Sequence, residues 1–227
     1  MEENTSKDKK QNAFFWTGEL DRNFFGHITE ELYKSRIYDP YLPTRKEGTV
    51  ALDIGANLGL VTEFFSRHFE KVISLEPSSE HFGNFCSMVD FNKLTNVTPV
   101  QKALFTENGK FGFGGPTNNK TMRSLHMATW QDGKPEEDVQ TITLEKLFEE
   151  YKIEHVDLLK CDCEGSEYEL FGHSSFRKVA NKIDTIIVEV HQWANRHPNQ
   201  IKEAFKNNGF TVEQIQNDAS LLVAKRI

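Results

Sequence analysis

From Val50 onward, short apolar runs alternate with segments whose apolar positions recur at helical spacing, and a turn separates each pair. Val50-Ala51-Leu52-Asp53-Ile54 reads as a strand, a glycine-rich turn follows, and Val61 to Phe65 continue as a helix. The same unit repeats with a strand at Val72 to Leu75, a break at Glu76-Pro77, and a helix that Ser79 can cap. That helix places Phe82, Phe85, Met88 and Val89 on one side. Residues 96–100 read as a third strand despite Pro99, and about forty turn-prone residues then form a candidate substrate lid. Thr143 opens a helix through Leu144, Leu147 and Phe148, Val156 to Cys161 form a fourth strand ending at Asp162, and Asp184 to Val190 form a fifth ending at His191. Pro198 begins the last helix and Gly209 stops it. The segments 210–216 and 220–225 then face each other across Asn217-Asp218-Ala219 as a hairpin.

Repeated strand–helix units imply a doubly wound α/β sheet that is mostly parallel, with an antiparallel hairpin at its end. Ligands bind such sheets beyond the carboxyl ends of the strands, where Asp53, Glu76, Asp162 and His191 all fall. Ahead of this domain, taken as residues 49–227 with an insertion at about 105–140, residues 1–48 form an extension. It is a polar tail, then an aromatic segment with Phe14-Phe15-Trp16 and Phe24-Phe25, then a short helix around residues 28–33 that the prolines at 40 and 43 end.

Composition narrows the classes. Lys plus Arg number 27 against 34 Asp plus Glu, a formal charge of −7, so nucleic acid is a disfavoured partner. The basic cluster Lys7 to Lys10 lies in a tail without an apolar signal core, and no apolar run approaches the roughly 20 residues that span a bilayer. Cys86, Cys161 and Cys163 are an odd set without paired ligand spacing, which points to reduced thiols and a cytoplasmic protein without a membrane partner.

The most informative segment runs from Asp53 to Thr62. Gly55 and Gly59 allow close approach of backbone to ligand, and the helix start offers N–H groups to an anionic group. A side chain at Gly55 is expected to block the ligand and spare the fold. The dinucleotide fingerprint is not satisfied, because Asn57 and Leu60 occupy its second and third glycine positions. Glu76 follows at the spacing where a carboxylate accepts from ribose hydroxyls. Leaving the fourth strand, Asp162, Glu164 and Glu167 crowd three carboxylates together, which a cation such as a sulfonium would offset. That segment alone holds no dense ligand set, so no metal is assigned, and Glu164 and Glu167 also suit a helix N-terminus.

Four pieces in order, Asp53-Ile54-Gly55-Ala56-Asn57-Leu58-Gly59, Leu75-Glu76-Pro77, Thr141-Ile142-Thr143-Leu144 and Leu159-Lys160-Cys161-Asp162-Cys163-Glu164-Gly165-Ser166-Glu167, resemble the FkbM family of methyltransferases. The resemblance covers residues 50–191. It implies a seven-stranded, Rossmann-like class I methyltransferase fold, S-adenosylmethionine as cofactor, and O-methylation of a hydroxyl on a sugar or other small metabolite. The cofactor-binding residues it implies are Asp53, Gly55, Ala56, Asn57, Gly59, Thr62, Glu76, Pro77 and Asp162. Cys161 and Cys163 stand where such proteins more often carry apolar residues, and they are read as packing. Asp162 and His191 are the catalytic candidates, with His191 the better matched to take a proton near neutrality, while His155, His173 and His197 are read as surface or capping residues. Two other readings stay open. One is a methyltransferase for RNA or protein guided by Lys110, Lys120 and Arg123; the other is a nucleotide-binding domain without this activity.

Overall fold

The computed structural model describes Gly26 and residues 28–115, 125, 135–191, 196–215 and 220–227. The aromatic pairs before residue 26, the turn at 217–219, Lys120 and Arg123 lie outside these residues.

Strands β1 (Val50–Ile54), β2 (Lys71–Leu75) and β3 (Val97–Val100) are separated by helices α1 (Leu60–His68) and α2 (Ser79–Phe91). Two short strands, β4 (Ala103–Leu104) and β5 (Gly109–Phe113), precede β6 (Glu137–Ile142) and helix α3 (Leu144–Glu150). Strand β7 (Val156–Cys161) leads to helices α4 (Glu167–Gly172) and α5 (Ser174–Val179), then to β8 (Ile183–Glu189). Helix α6 (Asn199–Asn207) and the antiparallel pair β9 (Phe210–Gln214) and β10 (Leu221–Arg226) complete the chain. The main sheet has the order β3-β2-β1-β7-β8-β10-β9. Its first five strands run parallel, and β10 pairs antiparallel with both β8 and β9.

Strand alternation explains how both faces are covered. Leu52 and Ile54 on β1 join Leu159, Ile186 and Val188 in a core capped by α3 to α6, whereas Ala51, Leu158 and Ile187 face α1. Phe171, Phe176, Phe205 and Phe210 fill the first core with ring centroids 4.7 to 6.2 Å apart. Burial of each such ring contributes roughly 1.5–3 kcal/mol. Leu32 and Tyr38 pack on Phe64 and Phe65, so the segment before β1 closes over the second face.

Several local expectations change. Pro99 is tolerated because β3 is the sheet edge and pairs with β2 alone. The α2 cap is Ser78 rather than Ser79, since the Ser78 side chain accepts from the His81 N–H. Thr143 caps α3 as expected. The described part of the insertion contributes to a second sheet, β4-β6-β5. The helices α4 and α5, absent from the sequence reading, fill the β7–β8 connection with six residues each, too short for a clear helical period.

Candidate functional site

The carboxyl ends of β1, β2 and β7 open on one cleft. Gly55, Asn57, Glu76 and Pro77 line one side and Asp162, Glu164 and Ser166 another. Phe113 and Leu125 of the insertion close it with an apolar wall.

Gly55 has φ +79°, and the carbonyl oxygen of Asp162 fills the space a side chain would need. The expectation that a side chain there would spare the fold is therefore corrected: the residue joins two strand ends. The loop is also less open to an anion than expected. Gly55 and Ala56 donate N–H bonds to the Leu75 carbonyl, Gly59 donates to Ala56, and Asn57 donates to Glu76. Asn57 sits at φ +52°, a left-handed position that Asn tolerates, with its Oδ1 buried and without a hydrogen-bond partner.

Glu76 is buried at 4% exposure; its Oε2 accepts from Asn57 N–H at 2.8 Å and its Oε1 from Ser78 N–H at 2.9 Å. Burial pushes its carboxyl up to about 7, against the lowering effect of those two N–H groups. Each oxygen keeps a second lone pair for a ligand hydroxyl.

Asp53 and Thr62 are fully buried, with the Thr62 hydroxyl donating to Asp53 at 2.6 Å and lying within hydrogen-bond distance of the Ser74 hydroxyl at 2.8 Å. They stand behind the cleft wall, as does Ala56, and Gly59 packs against Met88 and Phe85. Lys160, unassigned in the sequence reading, is the element that ties this layer to the cleft. Its Nζ donates to the Gly55 carbonyl at 3.0 Å and lies 3.5 Å from Asp53 and 3.6 Å from Asp162. Burial alone would lower its pKa; the two carboxylates outweigh that and hold it above the usual lysine value.

His191 sits among four carboxylates. Its Nδ1 is 2.5 Å from Glu167 Oε1, while Nε2 is 3.3 Å from Glu164 and 4.0 Å from both Asp162 and Glu189. Burial works against its charge, but Glu167, Glu164 and Asp162 prevail and push the pKa up to about 10. That lies well above the ordinary histidine value on which its expected role near neutrality rests. Glu164, at φ +52°, is held up to about 8 by burial and Asp162. Glu167 stands in the first turn of α4, as its helix-start reading expects, and is fully buried. The other histidines match their expected roles: His155 pairs with Asp184, His173 caps α5, and His197 accepts from the Asn199 N–H.

A central parallel sheet with this strand order, and one cleft across β1, β2 and β7, define a class I methyltransferase fold. The Methyltransferase FkbM domain matches residues 53–212, and the chain belongs to that family of S-adenosylmethionine-dependent methyltransferases. No curated protein matches the chain. Among solved structures, it resembles magnesium protoporphyrin IX methyltransferase from Synechocystis PCC 6803 with bound SAM, at TM-score 0.53 and 13% identity over 94% of this chain and 88% of that one. A putative rRNA-methylase from Clostridium thermocellum gives 0.51 and 13%, over 87% and 96%. A putative methyltransferase from Streptococcus mutans in complex with SAH gives 0.51 and 11%, over 85% and 97%. At these identities the likeness is one of fold. Among the described residues, no helix is long and apolar enough to cross a membrane.

Proposed function

We propose that the protein transfers a methyl group from S-adenosylmethionine to a hydroxyl oxygen of a sugar or another small uncharged metabolite. The observation that carries this reading is the charge distribution across one cleft. A buried Glu76 stands at one end, and Asp162 and Glu164 stand at the other with Glu189 behind them. The donor fits the first end: Glu76 offers two oxygens to ribose hydroxyls, and Asn57 Oδ1 is a buried acceptor lacking a partner. The carboxylates at the second end repel phosphate, so an RNA acceptor is disfavoured there. Of the basic residues first considered for RNA, Lys110 is paired with Asp138.

Bound S-adenosylmethionine supplies an electrophilic methyl group with its own leaving group. The protein then has to hold an acceptor oxygen in line with that methyl group, which can supply about 7–11 kcal/mol of the barrier. In this reading Asp162 orients the hydroxyl and receives its proton, and His191 as a cation keeps the neighbouring carboxylates in place. The insertion 105–140, through Phe113 and Leu125, shapes the acceptor side. A reducing compartment such as the cytoplasm suits the three free thiols.

The test is calorimetry with S-adenosylmethionine against NAD, followed by a labelled-methyl screen over glycosides, other hydroxylated metabolites, RNA and protein. Donor binding with transfer to a small hydroxyl compound supports the reading. Preference for NAD removes the donor assignment, and transfer to RNA or protein alone overturns the acceptor class.

A further inference from the structure

Three donor atoms from two strand ends converge at the acceptor side of the cleft. Asp162 and Glu164 follow β7, and His191 follows β8, its Nε2 lying 3.3 Å from Glu164 Oε2 and 4.0 Å from Asp162 Oδ1. All three atoms fall within 4.8 Å of one another. Ligands held about 2.0–2.2 Å from one ion stand at most roughly 4.4 Å apart, so only a small side-chain adjustment separates this arrangement from a coordination shell. The β7 segment by itself held no such set; the histidine arrives from the neighbouring strand.

A second observation points the same way and comes from a residue that is not one of the three donors. Glu167 on α4 is fully buried, directs Oε1 at His191 Nδ1, and leaves Oε2 without a hydrogen-bond partner. A buried carboxylate on one imidazole nitrogen is the outer partner that fixes the ring of a histidine metal ligand and turns the other nitrogen toward the ion. That other nitrogen faces Glu164 Oε2, itself buried and lacking a hydrogen bond, while Glu189 Oε1 stands 4.0 Å away as a further oxygen.

We propose that Asp162, Glu164 and His191 bind one divalent first-row transition cation at the acceptor end of the cleft, with Glu167 orienting the histidine. One nitrogen and two carboxylates suit manganese, iron or zinc better than calcium, which takes oxygen ligands only. The ion displaces the proton from Nε2 and balances the surrounding carboxylates, which His191 and Lys160 otherwise face as cations among the described residues. This inference rests on the acceptor side proposed above: an open coordination position there would hold the acceptor oxygen and lower the pKa of its hydroxyl.

The experiment uses the full chain, stripped with a chelator and titrated with Mn²⁺ by electron paramagnetic resonance, with Zn²⁺ competition by calorimetry. One Mn²⁺ per chain is expected, with affinity at least about tenfold weaker in Glu164→Gln and in His191→Ala, and about 10- to 100-fold weaker in Glu167→Gln. Glu76→Gln serves as the contrast, since it should keep the ion and lose affinity for S-adenosylmethionine. Circular dichroism establishes that each variant is folded, and Glu164→Gln decides the matter if His191→Ala is not. Absence of wild-type binding at millimolar Mn²⁺ and Zn²⁺, or unchanged affinity in folded Glu164→Gln, overturns the site. Failure of the donor reading shows differently, as an ion that binds while S-adenosylmethionine does not.

Discussion

Gly55 and Asp162 meet backbone to backbone: a Cβ on Gly55 would lie 1.8 Å from the Asp162 carbonyl oxygen. The contact is reinforced on both sides, since the Asp162 N–H donates to the Ile54 carbonyl and Lys160 Nζ to the Gly55 carbonyl. The Gly55 loop and the β7 end are thus tied together through their backbones. Gly55→Val should destabilise the fold by roughly 2–5 kcal/mol, from left-handed strain plus the clash, and lose donor affinity together with stability. Urea denaturation beside calorimetry checks this. A variant with wild-type stability and no donor binding would show that the glycine serves the ligand alone.

Glu76 gives a pH dependence with a definite sign. Its folded pKa of about 7 lies above the ordinary glutamate value because burial disfavours the charge. Between the unfolded and folded pKa values the folded state binds more protons, so this group's contribution to stability falls as pH rises toward 7. Donor binding should run the opposite way, since the ionised carboxylate is the stronger acceptor for ribose hydroxyls. Affinity for S-adenosylmethionine should therefore increase through about pH 7. Glu76→Gln should flatten that rise and weaken binding by about 1.5–3 kcal/mol. Calorimetry at a series of pH values reads both effects, and a flat wild-type profile would count against Glu76 as the ribose partner.

How far the sequence reaches is shown by these same residues. Alternating apolar runs located all seven strands of the main sheet, because period-two burial on two faces leaves a strong local pattern. Gly55, Glu76 and Asp162 were found because strand ends mark the ligand edge of a parallel sheet, and the structure does place them on one cleft. Asp53 and Thr62 were grouped with the ligand through the family resemblance; in the structure both are buried and bond each other, Asp53 from β1 and Thr62 from the first turn of α1. The surroundings of His191 were hardly legible: Glu164 and Glu167 reach it from the segment after β7 and Glu189 from its own strand, and no local spacing records that the two strand ends converge. Lys160 could have been found, since it shares a strand face with Asp162, but its bond to the Gly55 carbonyl depends on the register of β1 with β7.

Lys160 should matter to stability more than a single ion pair on the surface would. It is 7% exposed and supplies the cation for Asp53, whose Oδ1 has no hydrogen-bond partner. Lys160→Met keeps most of the apolar stem and removes the charge, leaving two carboxylates near each other without it. The cost should be about 3–5 kcal/mol, the range for removing one partner of a buried pair. A fall in the urea midpoint at unchanged slope measures it. Adding Asp53→Asn to Lys160→Met should recover part of the loss, because the charge left unpaired is then removed; no recovery would place the role of Lys160 in the Gly55 contact instead.

Asp162 separates chemistry from donor binding. It lines the cleft, keeps about a quarter of its side chain exposed, and has its backbone fixed by β1, so its carboxylate is presented to a ligand without supporting the core. Asp162→Asn preserves size and removes the charge. If the carboxylate orients the acceptor hydroxyl and receives its proton, single-turnover methyl transfer at saturating donor should slow by roughly 10²-fold or more. Donor affinity should change far less, because Glu76, the residue proposed for the ribose, ends β2, which β1 separates from β7 in the sheet. The same substitution alters the balance around Lys160 3.6 Å away, so a stability measurement must accompany the rate. A slowed rate with intact stability and donor binding assigns Asp162 to the reaction; a wild-type rate would remove its carboxylate from the proton transfer.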